Sequence, residues 1–164
     1  MAGPSPPVAG SRWIDRRGPP TLADMTTTST HPAAGPVTAI AAADPAVAAR
    51  HFLDRLAVEA DPADVAAQLR IAPDDIVVVD TRSPEAFAAA HVPGAVNLPH
   101  ASIDAAALAD LPAHALLITY CWGPACNAAT KGAARIATLG RPVKEMIGGI
   151  NGWEAEGYPL ERGG

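Results

Sequence analysis

The sequence predicts a three-layer α/β domain with a parallel sheet, and two observations support this prediction. Short, continuous apolar runs occur at residues 76–79 and 115–120, and such runs suit strands that are buried on both faces. From residue 76 onward, strand-like runs alternate with segments in which apolar residues recur at helical spacing. This alternation is typical of a parallel sheet covered by helices.

The composition indicates one domain and disfavours nucleic-acid and membrane partners. The chain has 164 residues, of which 49% are hydrophobic and only 4% aromatic, so one domain with an aliphatic core is expected. A net charge of −5 and a pI of about 5.4 disfavour a nucleic-acid partner. No stretch approaches the roughly 18 to 20 apolar residues of a membrane span, so no membrane partner is expected.

Cysteine usage bears on compartment and cofactors. The chain has two cysteines, Cys121 and Cys126, which do not form a disulfide framework. Other metal ligands are not spaced near them, so neither a metal nor another cofactor is predicted. A reducing compartment, and hence a cytoplasmic location, is the simplest expectation.

The segment before the domain has two parts. Residues 1–43 are rich in Pro, Ala, Gly, Ser and Thr, and we predict a disordered tail. Asp44 and Pro45 are helix start signals, and an amphipathic helix is predicted over residues 44–61. Its apolar positions are Ala49, Phe52, Leu53, Leu56 and Ala60.

The single domain is predicted over residues 62–164. Two further strands are expected at residues 95–98 and 143–147. Helices are predicted from Asp61-Pro62, over residues 84–90, from a cap at Ser102 or Asp104 to Leu108, over residues 127–139, and from Gly148-Gly149 to about Gly157.

The candidate site is the loop that begins at Cys121. The apolar run 115–120 stops there, a tight turn with Gly123 and Pro124 follows, and a helix comes next. A thiol between a strand end and a helix N-terminus lies where backbone N–H groups and the helix dipole favour negative charge. This setting predicts a thiolate nucleophile. The alternative is that Cys121 is a small buried apolar residue.

Four motifs in order resemble the rhodanese (sulfurtransferase) domain, over about residues 62–161. They are Val78 to Phe87, His91 to Pro99, Tyr120-Cys121 with its loop, and Gly148 to Trp153. The resemblance implies a mostly parallel five-stranded sheet flanked by helices. It also implies that Cys121 is a catalytic nucleophile that carries a persulfide.

The chemistry that the resemblance implies has two half-reactions. The Cys121 thiolate attacks the outer sulfur of a donor, thiosulfate-like or a persulfide, and then passes that sulfur to cyanide or to a thiol. A protein acceptor is one form of that thiol. Backbone amides of the loop are predicted to hold the anions. The residues of this anion cradle are Trp122, Gly123, Ala125, Cys126 and Asn127.

The loop also departs from the family. Residues 122–127 include no cation, Pro124 lacks an N–H group, and Cys126 occupies a position that is often Arg. Lys131 is the nearest cation in the sequence; it is a candidate to support the loop, and the alternative is that it is a solvated surface residue. Asp80 and Arg82 match the family's strand-end pair and are predicted to orient neighbouring loops.

Three functions remain open at this stage. The first is a sulfurtransferase with Cys121 as sulfur carrier. The second is a thiol redox or sensor protein, in which Cys126 is the resolving thiol that closes a disulfide with Cys121. The third is a binding module that keeps the fold without turnover. Cys126 also has a plainer interpretation, as a small packing residue at the start of the helix.

Overall fold

The computed structural model of the chain describes residues 35–163. The chain divides into two units, residues 1–42 and 43–164. The described part of the first unit, residues 35–42, contains a turn in which Thr38 N and Ala39 N donate to Gly35 O at 2.9 Å. The disordered tail predicted for residues 1–43 lies, up to residue 34, outside the described residues.

The second unit alternates helices and strands. The elements are α1 (Pro45–Val58), β1 (Glu59–Ala60), α2 (Pro62–Ile71), β2 (Ile76–Asp80), α3 (Pro84–Ala89), β3 (Val96–Asn97), α4 (Ala105–Ala109), β4 (Leu116–Tyr120), α5 (Ala128–Thr138), β5 (Val143–Met146) and α6 (Gly149–Ala155). Two short 3-10 turns occur at Pro73–Asp75 and His100–Ser102.

The sheet has five strands in the order β1-β5-β4-β2-β3, and every neighbouring pair is parallel. The predicted three-layer α/β architecture with a five-stranded parallel sheet is therefore confirmed. Strand β4 is central, and its last residue, Tyr120, is in register with Asp80 of β2. The carboxyl ends of β2 and β4 therefore lie side by side, which is where ligand sites in open α/β sheets are found.

Side-chain caps explain where several helices begin. The carboxylates of Asp44, Asp61 and Asp104 each accept a hydrogen bond from a first-turn amide at 2.7 to 2.8 Å. These bonds satisfy donors that have no partner inside the helix. Of the two caps considered for α4, Asp104 forms the bond, while Ser102 ends a 3-10 turn.

The helix predicted over residues 44–61 is shorter than expected. It ends at Val58 because Glu59 and Ala60 pair with β5 as strand β1. None of the residues of α1, all of which the structure describes, is buried. Phe52 and Leu53 of its predicted apolar face are 56% and 63% exposed. An open groove of about 750 Å³, lined by residues of α1, α2 and the sheet, follows this helix.

Both faces of the sheet are covered. Ile118 and Tyr120 of β4 belong to one apolar cluster, and Leu117 belongs to another that includes Ile136 of α5. This alternation explains why β4 appears as an unbroken apolar run, since each face needs its own apolar side chains. Among the described residues, no helix has the length and apolar character needed to cross a bilayer.

Candidate functional site

The loop after β4 is a tight turn that brings its two cysteines together. Cys121 follows the strand directly and is 2% exposed. The Cys126 amide donates to Gly123 O at 2.9 Å, which closes a four-residue turn. Pro124 occupies the second position of that turn, where its fixed φ is favourable. Pro124, which lacks an N–H group, thus also fixes the shape of the turn.

The structure joins Cys121 and Cys126 by a disulfide. Their Cα atoms are 6.4 Å apart, within the range that such a bridge needs. Cys121 is buried and Cys126 is half-buried. The proximity that a resolving thiol requires is therefore present, whereas the chemical roles of the two sulfurs remain predictions.

The base of the loop is held from below by the start of α6. Ile150 N donates to Cys121 O at 2.9 Å, and Asn151 N donates to Trp122 O at 3.0 Å. Gly149 has a φ of +58°, and a Cβ atom there would lie 2.5 Å from Cys121 O. The start of α6 therefore approaches the cysteine loop closely, and this approach requires glycine at position 149.

Four loop amides are available to an anion. The N–H groups of Trp122, Gly123, Ala125 and Asn127 donate no hydrogen bond to another described residue. The Cys126 amide, which was predicted to belong to the same cradle, is instead engaged by Gly123 O. Four of the five predicted donors are thus unpaired within residues 35–163.

A cavity of about 230 Å³ lies beside the disulfide. Its lining includes both cysteines, Asn127, the end of β5 and the Gly148-Gly149 turn. Glu145 lines it as well, and no Lys or Arg of the described chain does. Lys131, predicted to support the site, is exposed and is not part of this lining.

Trp122, which was predicted to belong to the anion cradle, is not among the residues that line this cavity. It is 50% exposed, and its ring stacks on a guanidinium, with Arg82 Cζ 4.4 Å from the ring centroid. This distance is within the range of a cation–π interaction. Arg82 therefore contacts the residue next to Cys121.

Asp80, Arg82 and Tyr120 form a buried network beneath the loop. Arg82 Nη2 lies 2.6 Å from Asp80 Oδ2, and Arg82 Nε donates to both carboxylate oxygens at 3.0 and 3.1 Å. The Tyr120 hydroxyl donates to Asp80 Oδ2 at 2.6 Å and accepts from Val92 N at 3.1 Å. The predicted strand-end pair is thus formed and linked to the loop through Trp122.

The network shifts the pKa of two of its members in the same direction. Burial opposes the charge of Arg82, but the hydrogen bond and the negative charge of Asp80 outweigh it and raise the pKa of the guanidinium. Burial raises the pKa of Tyr120 far above its ordinary value, and the neighbouring Asp80 carboxylate raises it further. The Asp80 carboxylate accepts hydrogen bonds from both side chains.

No role at the site was predicted for two residues of this region, Tyr120 and Glu145. Tyr120 belongs to the strand and to the Tyr120-Cys121 motif, but its hydroxyl was given no function, although a tyrosine at the end of an apolar run signals a hydroxyl in need of a partner. Glu145 lies in a four-residue strand whose side-chain directions the sequence pattern did not indicate. Its position at the cavity follows from the strand order.

His91 packs against Phe87 of α3 and belongs to no group of metal ligands within residues 35–163. His91 Nδ1 lies 2.9 Å from Phe87 O, and its ring stacks on that of Phe87 with centroids 3.7 Å apart. These contacts give His91 a structural role at the end of α3. Within residues 35–163, no three or more His, Cys, Asp or Glu side chains are grouped so that they could hold a metal ion.

Comparison with known proteins identifies the family. The sequence model of the Rhodanese-like domain matches residues 62–156. The chain belongs to the rhodanese-like domain family. The matched region of this rhodanese-like chain begins with α2, so α1 and β1 precede it.

Solved structures agree with this assignment. The BH2092 protein from Bacillus halodurans is 42% identical with a TM-score of 0.70, over 73% of this chain and 87% of that one. A rhodanese-like domain protein from Staphylococcus aureus has 20% identity and a TM-score of 0.55, over 65% and 99% of the two chains. The thiosulfate sulfurtransferase from Pseudomonas aeruginosa has 24% identity and a TM-score of 0.56, over 68% of this chain and 21% of that one. The last two likenesses show the fold.

A curated relative is longer than this rhodanese-like chain. The HTH-type transcriptional regulator Rv0324 of Mycobacterium tuberculosis is 38% identical over 90 residues, which are 54% of this chain and 39% of the regulator. The matched segment thus spans well under half of that relative.

Proposed function

We propose that this rhodanese-like chain is a sulfurtransferase that carries sulfane sulfur as a persulfide on Cys121. The observation that supports this most is the position of Cys121, at the carboxyl end of the central strand and at the mouth of a loop with four unpaired amides. A buried sulfur beside oriented N–H groups is an environment that stabilises thiolate and persulfide anions.

The proposed cycle begins with the reduced loop. The Cys121 thiolate attacks the outer sulfur of the donor, the donor's remaining part leaves as an anion, and Cys121 keeps the sulfur as Cys–S–S⁻. A thiol or cyanide acceptor, including a thiol on another protein, then removes the outer sulfur. Of the four unpaired amides, those of Gly123 and Asn127 belong to residues that line the cavity, and we propose that they hold the charge in both halves of the cycle. A reducing compartment such as the cytoplasm would keep the loop in this reduced form.

The charges around the cavity favour one class of donor. Glu145 contributes a carboxyl group to the lining, no Lys or Arg of residues 35–163 lines the cavity, and the charge of Arg82 is engaged by Asp80. A dianion such as thiosulfate is repelled by this carboxylate. A low-molecular-weight persulfide carries less negative charge at its reacting end, and we propose it as the better donor.

The disulfide supports a second candidate function. A thiol redox or sensor protein would use Cys121 as the oxidised thiol and Cys126 as the resolving one, and the structure places the two in one bridge. A cavity lining without Lys or Arg, among the residues that the structure describes, also fits a binding module without turnover. The same measurement separates all three.

The test is the intact mass of the reduced Cys126→Ser variant after incubation with thiosulfate or a low-molecular-weight persulfide. Sulfur transfer predicts that this variant gains the mass of one sulfur atom. The double variant Cys121→Ser/Cys126→Ser should show no gain. No gain with either donor contradicts sulfur transfer. In that case, loss of two hydrogens from the wild type on mild oxidation supports the redox protein, and no change in either experiment supports the binding module.

A further inference from the structure

We propose that Cys126 discharges the Cys121 persulfide by attacking the inner sulfur, so that the chain releases hydrosulfide and is left as the Cys121–Cys126 disulfide. This inference rests on the proposed function, because it begins from the Cys121 persulfide. It adds a product, hydrosulfide, and a class of co-substrate, a thiol reductant, to the reaction.

The position of Cys126 is set by backbone contacts that do not depend on the bridge. The hydrogen bond from Cys126 N to Gly123 O closes the turn, and Pro124 pre-forms it. The bonds from Ile150 and Asn151 hold the other end of the loop against α6. The reduced loop is therefore expected to keep Cys126 next to Cys121, which gives the second thiol a high effective concentration.

The inner sulfur is the target that this placement favours. The structure brings the Sγ atoms of Cys121 and Cys126 into bonding contact, with their Cα atoms 6.4 Å apart. Attack on the outer sulfur would instead move that sulfur onto Cys126 and leave no bridge. Inner attack would leave a Cys121–Cys126 bridge, and the structure shows that the loop accommodates this bridge.

The step balances without an external oxidant. Cys126–SH loses its proton and its sulfur forms a bond to Cys121 Sγ, while the bond between Cys121 Sγ and the outer sulfur breaks. The outer sulfur leaves with the electron pair and, with that proton, becomes HS⁻. The two cysteine sulfurs are oxidised to the disulfide and the sulfane sulfur is reduced to sulfide. The HS⁻ ion leaves the cavity beside the disulfide. The carboxylate of Glu145, which lines this cavity, repels the ion.

The cycle then needs two electrons from a thiol reductant. Two thiols, or one dithiol, reduce the bridge to Cys121–SH and Cys126–SH and are themselves oxidised to a disulfide. Cys126 is half-buried and Cys121 is buried, so the reductant reaches Cys126 Sγ first. Cys121 then leaves as the thiolate, beside the loop amides, in the form that the next donor requires.

The experiment follows one turnover by labelled sulfur. Reduced full-length protein, freed of small thiols and kept without oxygen, is mixed with one equivalent of a donor labelled in its sulfane sulfur. The donor is thiosulfate or a low-molecular-weight persulfide. Hydrosulfide is trapped with a bimane reagent. The masses of the intact protein and of its proteolytic peptides are measured by mass spectrometry. Cys126→Ser and Cys126→Ala provide the loading control, and the chain has no third cysteine to complicate the masses.

We expect the two Cys126 variants to hold one labelled sulfur on Cys121 and to release no sulfide. The wild type should release about one equivalent of labelled hydrosulfide and weigh two hydrogens less than the reduced protein. A wild type that keeps the sulfur on Cys121, or that moves it to Cys126, overturns this inference while sulfur transfer stands. If neither Cys126 variant accepts sulfur from either donor, sulfur transfer itself fails, and this inference fails with it.

Discussion

Asp80 does not line the cavity, but it holds two residues of the site, Arg82 and Tyr120, in place. Its carboxylate is fully buried, pairs with Arg82, and accepts from the Tyr120 hydroxyl. A buried carboxylate with one partner removed is costly, by about 3–5 kcal/mol, because the remaining charge stays without compensation. Since Arg82 also contacts Trp122, the network connects the ends of β2 and β4 to the residue that follows Cys121.

Tyr120→Phe should lower stability by about 1–3 kcal/mol at pH 7, because the buried Val92 amide loses its acceptor and Asp80 loses a donor. The difference should shrink above pH 10. The pKa of folded Tyr120 is raised above its ordinary value of 10.0, so only the unfolded wild type ionises there, and this ionisation favours unfolding by up to about 1.4 kcal/mol per pH unit. Denaturant melts of both proteins at pH 7 to 11 measure the difference, and a gap that stays constant across this range would contradict the assignment.

Glu145→Gln should improve the use of thiosulfate as a donor, because it removes the negative charge from the cavity lining. The expected change is a KM for thiosulfate lower by about three- to tenfold, the order that repulsion near a protein surface gives. The wild-type KM should fall with added salt, whereas the variant should respond less. Glu154→Gln, on the exposed side of α6, is the matched control. Equal kinetics for the two variants would argue against a role for Glu145.

At the level of elements, the cysteine loop is shaped by the start of α6 as much as by its own sequence. The hydrogen bonds to Cys121 O and Trp122 O both come from the first turn of that helix. Gly149 permits this because it has a positive φ and no side chain. The loop and the start of α6 should therefore respond together to any change in their packing.

Gly149→Ala should destabilise the protein more than Gly140→Ala. Both positions have positive φ, at +58° and +81°, so both variants include the cost of a left-handed alanine. A Cβ atom at Gly149 meets Cys121 O at 2.5 Å, whereas at Gly140 nothing lies within 4 Å. The added crowding should cost about 1–3 kcal/mol and should also slow sulfur loading. Melting temperatures and loading rates of both variants test this, and equal losses would show that crowding is unimportant.

Helix α1 differs from the other long helices, α2 and α5, because none of its residues is buried. Leu53→Ala should change stability by no more than about 0.5 kcal/mol, since Leu53 is 63% exposed. Ile136→Ala on α5 should cost about 2–5 kcal/mol, since Ile136 is fully buried. Urea unfolding of the two variants gives both values. A large loss for Leu53→Ala would mean that this face of α1 is covered in solution.

At the level of the whole molecule, the sequence predicted what depends on local pattern. The apolar runs of β2 and β4, the Asp-Pro starts of α1 and α2, and the position of Cys121 between strand and helix were all readable from neighbouring residues. The short strand β1 was not, because Glu59 and Ala60 have no strand preference and are extended only through pairing with β5. The contact between Arg82 and Trp122 and the place of Glu145 in the cavity depend on strand order, which residue spacing does not encode.

The strand order also bears on how the molecule behaves at high concentration. The two outermost strands of the described sheet, β1 and β3, have two residues each. An exposed strand edge is a template for pairing with another chain, and very short edge strands are a known protection against it. The register of β3 covers only Val79 and Asp80 of β2, so Ile76 to Val78 have a strand partner on one side only. Edge-to-edge association through the described sheet would therefore use this start of β2 rather than either outer strand.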